Sequence, residues 1–388
     1  MTISPENKKE IEVEIQRQEL IQKWQELKPA ITPLVFTTIN GENVAIKDES
    51  QNRTGTYKDK HGWMMGQHYL HNVFPSRYTY FLVSTGNAAI ADVAYADMLN
   101  ELMKKPRIQV INFFPKHYDK KVLGPDSFGR FTDGYRFWLS MENYLSASNE
   151  KVDFDEKFWN TNACREHLNK KGLCLTPENS MDITEGFNPT YTQVAEEFVQ
   201  QIWEHTVGRA GKTKEQMADQ YYTSRGDFFP QTLLVTQFGA GMLYDDCKQY
   251  IQEQKLPIDI LPVSTGNIDT IADKICDVSG RWQESAEALL EQGWTVSKAT
   301  GNKIYHVKDQ EILLALQQYR SPKINIEAEP SGASSLGIFP RLEEILGEER
   351  YQQYDLFAFI NTGNGIKNTA YKNILDTIDG VKYKDRIV

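Results

Sequence analysis

The chain has 388 residues, 40% of them hydrophobic and 25% charged, which is ordinary usage for a folded globular protein. A single apolar core stops growing at about 250 to 300 residues, so this length predicts two domains. The 43 basic and 53 acidic residues leave a net charge of −10, which argues against nucleic acid or an anionic membrane surface as the main partner. The apolar runs are short and interrupted, and the N-terminus carries no apolar stretch behind a basic one. Neither a membrane span nor a secretory signal is expected, and the cytoplasm is the expected compartment. Cys164, Cys174, Cys247 and Cys276 are scattered without a CxxC pair, so they read as reduced and mostly buried thiols rather than a zinc site or a disulfide framework.

In chain order, Ile11, Ile15, Leu20, Ile21, Trp24 and Leu27 recur at helical spacing and Pro29 and Pro33 follow, which predicts an N-terminal helix within residues 1–28. Short β-like runs then alternate with amphipathic stretches: VAIKDE, a helix over 56–72, YTYFLVS, a helix over 87–104, and RIQVINFF. The alternation resumes with a helix over 191–207, TLLVTQF, a helix over 242–254, IDILPVS and YDLFAFINT. This is the pattern of βαβ units, so the expected class is α/β, with twisted, mostly parallel sheets covered by helices in two domains, 29–190 and 191–388.

Residues 112–182 break the pattern. They carry Phe113, Phe114, Tyr118, Phe128, Phe131, Tyr135, Phe137 and Trp138 and resist assignment to strands. A core variation or dimer surface is the expected reading, with a lid over a larger substrate as the alternative. Lys116, Lys120, Lys121 and Arg130 read as a solvated face, the alternative being a phosphate-binding set. His68 and His71 stand three apart on a helix without a carboxylate or third histidine in the segment, so no metal site is predicted.

Five segments have the residue types that chemistry needs. In IKDESQNRTGTYKDKHGW a strand runs through polar turn residues into a helix with Lys58 near its start, where backbone N–H groups and the helix dipole favour a neutral, nucleophilic amine. The alternative is a solvated lysine in a Lys-Asp-Lys run. In FLVSTGNAAIADVAYA a strand ends at Ser84, Thr85, Gly86 and Asn87, a turn whose N–H and amide donors suit a carboxylate, unless it is an ordinary capped helix. In TLLVTQFGAGMLYDD, glycines before a helix let the backbone approach a phosphate. EAEPSGASSLG and FAFINTGNGIKN follow, the latter placing the Thr362 hydroxyl at the end of a strand, where it can hydrogen-bond one ring nitrogen.

In this order, TGTYKDK, STGNAA, FGAGML, EPSGA and NTGNGIKN, with TPLV at Thr32 to Val35 ahead of them, resemble the fold-type II pyridoxal-phosphate enzymes of the tryptophan synthase beta-like superfamily, and within them the threonine synthases. The resemblance spans about residues 30–370 and thins between 105 and 190. It implies pyridoxal 5'-phosphate in the cleft between the two domains, bound as a Schiff base to Lys58, with Lys58 also removing the α-proton. It implies that Asn87 bonds the ring 3'-oxygen and that the Ser84, Thr85, Gly86, Asn87 turn receives the substrate carboxylate. Gly239, Ala240, Gly241 and Met242 would cradle the cofactor phosphate, and Thr362 would face the pyridine nitrogen. A neutral hydroxyl there leaves that nitrogen unprotonated, which suits elimination or replacement at the β or γ carbon better than transamination. A small amino acid as substrate and a homodimer are implied as well.

The sequence departs from the threonine synthases in several places. Ala88 stands where a threonine follows the loop asparagine, Phe238 replaces a first glycine and makes the pocket locally bulkier, and Asn179-Ser180 has no arginine a few residues on. The missing arginine counts against a phosphorylated substrate. The expected activity is a threonine synthase-like lyase. The alternatives are a serine or threonine dehydratase and a non-catalytic subunit that binds cofactor or amino acid.

Overall fold

A computed structural model describes residues 4–84, 87–114, 137–140, 165–166, 169, 174–183, 187, 190–209, 229–238, 242–265, 271–272 and 304–364. The described residues divide into two compact units. One holds residues 4–30 and 58–187, the other 31–57 and those from 190 on.

The first unit begins with α1 (Pro5–Gln25), capped by the Ser4 hydroxyl, which accepts from the Asn7 N–H at 3.2 Å. Leu20 and Trp24 are buried in the core of this unit, so the helix is an integral layer of it rather than a separate N-terminal element. The Trp24 indole donates to the Trp63 carbonyl and the Trp63 indole to the Trp24 carbonyl, at 3.2 and 3.3 Å. Beneath α1 lies α2 (Asp59–His68), which continues into a single π-type turn over Tyr69–Val73. A four-stranded parallel sheet follows, built from β3 (Tyr78–Val83), β4 (Ile108–Phe114), β5 (Phe137–Ser140) and β6 (Ser180–Asp182) in the order β5-β4-β3-β6. Helix α3 (Asn87–Met103) connects β3 to β4 and buries Ala88, Ala89, Val93, Ala96 and Leu99 against Tyr78, Tyr80 and Leu82 of β3. Two strands therefore fall within the aromatic stretch 112–182. Tyr118, Phe128, Phe131, Tyr135, Lys116, Lys120, Lys121 and Arg130 lie outside the described residues.

The second unit opens with a hairpin, β1 (Leu34–Ile39) and β2 (Glu42–Asp48), turned by Asn40 and Gly41 at φ 53° and 93°. Positive φ at both central residues is the tight hairpin turn for which Asn-Gly is the usual sequence. Its helices and strands continue with α4 (Thr192–Arg209), β7 (Thr232–Gln237), α5 (Met242–Glu253), β8 (Ile258–Ser264), β9 (Tyr305–His306), α6 (Asp309–Tyr319), α7 (Pro330–Gly337) and β10 (Leu356–Asn361). The sheet order is β1-β2-β10-β7-β8-β9, and every pairing beyond the hairpin is parallel. Alternation along β10 shows how both faces are covered. Phe357 and Phe359 join a core with α6 and α7, while Leu356, Ala358 and Ile360 join one with α4 and α5.

Two sequence expectations need correction here. Residues 31–57, assigned to the first domain, belong to the second unit, because β2 pairs in parallel with β10 from Val44↔Phe357 to Asp48↔Asn361. A strand's position in the chain does not determine which sheet its backbone joins. The helix expected over 56–72 starts only at Asp59. Thr56 instead makes an antiparallel bridge with Gly363, and Gly55 at φ 74° keeps the chain out of a helix. Among the described residues no helix is long and apolar enough to cross a membrane.

Candidate functional site

Open α/β sheets bind ligands at the carboxyl ends of their parallel strands, and Ser84 and Thr362 directly follow β3 and β10, while Asn87 and Met242 start the helices after β3 and β7. In the first unit Lys58 caps the start of α2 and is half-buried, and its carbonyl accepts from the N–H groups of His61 and Gly62 at 2.9 and 3.1 Å. Asp59 and Lys60 are 0% and 1% exposed, so the Lys-Asp-Lys run is no solvated face. Ser84 follows β3 and is half-buried, and Asn87 is the first residue of α3 and is buried. Thr85 and Gly86 lie outside the described residues.

The helices carrying Lys58 and Asn87 meet closely. A Cβ on Gly62 would lie 2.8 Å from the Ala91 carbonyl oxygen, so only glycine permits the approach. One residue along on each helix, His61 Nδ1 stands 2.6 Å from Asp92 Oδ1, and His61 Nε2 stands 3.0 Å from the carbonyl of Ile183, the residue after β6. Both side chains are buried. Sequence reasoning passed over this pair, since a histidine and an aspartate 31 positions apart give no local signal.

In the second unit β7 and β10 are parallel neighbours, so Phe238 and Thr362 leave the sheet at the same edge. Thr362 is buried, and its carbonyl accepts from the Tyr57 N–H at 3.1 Å. Gly239, Ala240 and Gly241 lie outside the described residues, and Met242 begins α5. Phe238, expected to make the pocket bulkier, is a core residue: its ring packs edge-on against Tyr244 at 5.5 Å.

The EPSGA segment supports the Thr362 turn. The Glu329 N–H donates to the Gly363 carbonyl at 2.8 Å, and a Cβ on Gly332 would lie 2.6 Å from that same oxygen. Asn361 Nδ2 donates to Asp48 Oδ1 and to the Glu327 carbonyl, both at 2.9 Å. Gln237 Nε2 reaches the carbonyls of Ile360 and Gly332 at 2.8 and 2.9 Å. The TPLV motif has a comparable structural role. Lys47 Nζ, fully buried, donates to the Thr32 carbonyl at 2.7 Å and to Glu197 Oε2 at 2.6 Å, while the Thr32 hydroxyl donates to Glu49 Oε1 at 2.6 Å.

Asn179-Ser180 stands before the middle of the sheet. Ser180 pairs with Thr79 near the start of β3, four residues before Val83, so it lies about 13 Å from the strand's carboxyl end at about 3.3 Å per residue. An arginine does meet it: Arg165 donates to the Ser180 hydroxyl at 3.0 Å and carbonyl at 2.7 Å, with its guanidinium 5.8 Å from the Phe81 ring centre. That arginine ties β6 to β3. His68 is also accounted for locally, with Nδ1 2.8 Å from the Tyr80 hydroxyl. Of the described cysteines, Cys247 is buried and Cys174 is exposed, against the expectation of burial.

At the start of α5, burial pushes the Asp245 carboxyl up to about 6, against a smaller opposing pull from Lys248. The Tyr244 phenol beside it is raised by burial and by Asp245.

No protein-family model matches this sequence, and no curated protein does. Solved structures match across nearly the whole chain. A pyridoxal 5'-phosphate-dependent aspartate racemase superposes with a TM-score of 0.56 at 12% identity, covering 91% of this chain and 95% of its own. A threonine deaminase from T.th. gives 0.53 at 14%, covering 90% and 97%. The O-acetylserine-dependent cystathionine beta-synthase from Helicobacter pylori gives 0.55 at 14%, covering 87% and 93%. The chain thus has the fold of the fold-type II pyridoxal-phosphate enzymes, at an identity that speaks for the fold alone.

Proposed function

We propose that this protein is a pyridoxal-phosphate-dependent enzyme that carries out elimination or replacement at the β or γ carbon of a small amino acid. The observation that supports this reading is that Ser84 and Thr362 directly follow β3 and β10 while Lys58, Asn87 and Met242 stand at helix starts. The residue types suit the cofactor: a primary amine for the aldehyde, glycines ahead of a helix in the sequence for the phosphate, and an uncharged hydroxyl for the ring nitrogen.

When bound, pyridoxal phosphate supplies an electron sink for negative charge at the substrate Cα. Lys58 Nζ would hold the cofactor and take the α-proton. Ser84, Thr85, Gly86 and Asn87 would receive the substrate carboxylate, and Asn87 would also donate to the ring oxygen. Gly239, Ala240, Gly241 and Met242 would hold the phosphate. The Thr362 hydroxyl would donate to the ring nitrogen without protonating it, a weaker sink that favours loss of a leaving group over transamination. The protein acts as a homodimer in this reading.

A serine or threonine dehydratase is the second reading. It is supported by Ala88 after Asn87 and by Arg165, which engages the Ser180 hydroxyl and carbonyl within the fold.

The test is the absorption spectrum of the purified protein reconstituted with pyridoxal phosphate. A yellow band that borohydride bleaches and fixes to Lys58, lost in Lys58→Ala, is the expected result. Serine, threonine, O-acetylserine and O-phosphohomoserine are then added in turn. A keto acid from serine or threonine selects the dehydratase, and an amino-acid product selects the synthase. No band after reconstitution overturns the cofactor assignment.

A further inference from the structure

The proposed mechanism uses Lys58 and Asn87 but leaves the buried His61 and Asp92 without a role. We infer that His61, held by Asp92, is a positioning residue for Lys58, an inference that rests on the assignment of Lys58 as the cofactor lysine.

His61 belongs to the first turn of α2, and its backbone N–H donates to the Lys58 carbonyl at 2.9 Å. Its imidazole is 1% exposed and joins two further elements, reaching Asp92 of α3 at 2.6 Å and the Ile183 carbonyl beyond β6 at 3.0 Å. Ile183 is itself fixed to the sheet, because its N–H donates to the Phe81 carbonyl of β3 at 2.8 Å. One side chain thus ties the Lys58 turn to the carboxyl edge of the sheet and to the helix that begins at Asn87.

The protonation follows from the partners. A carbonyl only accepts, so Nε2 carries a hydrogen toward Ile183, and the short contact at Nδ1 holds one further proton between imidazole and carboxyl. Among the described residues, the second carboxyl oxygen of Asp92 is buried with no hydrogen-bond partner. An unpaired buried acceptor costs stability, and a purely structural site would lose little by having an apolar pair here instead. Asp92 lies five residues, about 7.5 Å along the helix axis, from Asn87, and His61 lies three residues, about 4.5 Å, from Lys58. The tie therefore acts about one turn inside both helix starts, beside the glycine contact of Gly62 with Ala91.

The experiment follows the rate at which limiting pyridoxal phosphate is captured on the full-length chain, quenched with borohydride and read by mass spectrometry at the Lys58 peptide, alongside the thermal midpoint without cofactor. His61→Ala and His61→Gln remove the tie. Asp92→Asn keeps it, because the amide N–H can donate to Nδ1 while Nε2–H still meets Ile183. Leu99→Ala, in the core face of α3, is the control for stability alone. Misplacing a reacting group costs roughly tenfold to a hundredfold, so capture by the His61 variants falls by that factor while Asp92→Asn stays within about threefold of wild type. Leu99→Ala lowers the midpoint without slowing capture. If His61→Ala is not folded, His61→Gln decides. Wild-type capture rates in a folded His61 variant, or equal slowing in Leu99→Ala, overturn the positioning role. Absence of any Lys58 adduct in the wild type overturns the cofactor assignment instead.

Discussion

The backbone N–H of Tyr57 donates to the carbonyl of Thr362 at 3.1 Å, and on the far side of that turn Gly332 leaves room for Gly363 by having no side chain. A Cβ at position 332 would lie 2.5 Å from Asn361 Oδ1 and 2.6 Å from the Gly363 carbonyl oxygen. The second of these is backbone in a buried strand end, so it does not yield cheaply. Overpacking of this kind costs about 1–3 kcal/mol. Gly332→Ala is therefore expected to lower the urea midpoint, and to weaken pyridoxal phosphate binding by displacing Thr362. A variant with wild-type midpoint and wild-type cofactor affinity would show that the α7 start moves freely.

Lys47 offers a second test, independent of the cofactor. Its ammonium is fully buried and compensates Glu197 at 2.6 Å, with Glu49 at 3.8 Å. Removing one partner of a buried pair strands the other charge, at a cost of about 3–5 kcal/mol. Lys47→Met should lose that much stability in chemical denaturation. Adding Glu197→Gln should restore a large part of it, since the second change removes the stranded charge. If the double variant is as unstable as the sum of the two singles, the pair is not coupled.

The α/β class was legible because short continuous apolar runs such as LLVTQ and LFAFIN alternate with helical ones, and β7 and β10 fall where that pattern puts them. The β1–β2 hairpin was missed although Asn40-Gly41 marks its turn plainly. Its membership in the sheet of β10 was not legible at all, because Val44 and Phe357 meet only through long-range backbone pairing. The same holds at the site. The places of Lys58, Asn87 and Thr362 at element ends could be read because each is marked by its local sequence. Gln237, Asn361 and Asp92, which hold the surrounding backbone, act through partners 31 to 313 residues away that leave no local signature. Asn179-Ser180, whose arginine is missing a few residues on, meets Arg165 instead, a partner 15 residues earlier that local sequence does not reveal.

Asp245 sets a pH dependence with a definite sign. Burial raises its carboxyl from 3.8 to about 6 in the folded chain, so the folded state holds the proton more tightly than the unfolded one. Its contribution is neutral below about pH 4 and becomes destabilising as pH rises through about 6. Two units correspond to about 3 kcal/mol, and partial exposure of the residue reduces this to about 1 kcal/mol. Asp245→Asn is thus expected to be more stable than wild type at pH 7.5 by about that amount, and equal to it at pH 4. An advantage of the same size at both values would mean that the gain does not come from the carboxyl's titration.

Gly62→Ala weighs two opposing effects at the contact of α2 with α3. Alanine gains up to about 1 kcal/mol over glycine inside a helix. The new Cβ, however, would stand 2.8 Å from both the Ala91 carbonyl oxygen and Tyr95 Cδ2, with Tyr95 itself packed edge-on against Trp24 at 5.8 Å. Neither neighbour can rotate away, so the helices must part by several tenths of an ångström, and overpacking at about 1–3 kcal/mol outweighs the propensity gain. Net destabilisation of about 1 kcal/mol is expected. Because the separation falls beside His61 and Asp92, the His61 imidazole signal in a nitrogen-15 NMR spectrum should shift along with the stability loss. An alanine variant as stable as wild type, with an unmoved imidazole signal, would mean that α2 and α3 do not need their closest approach at Gly62.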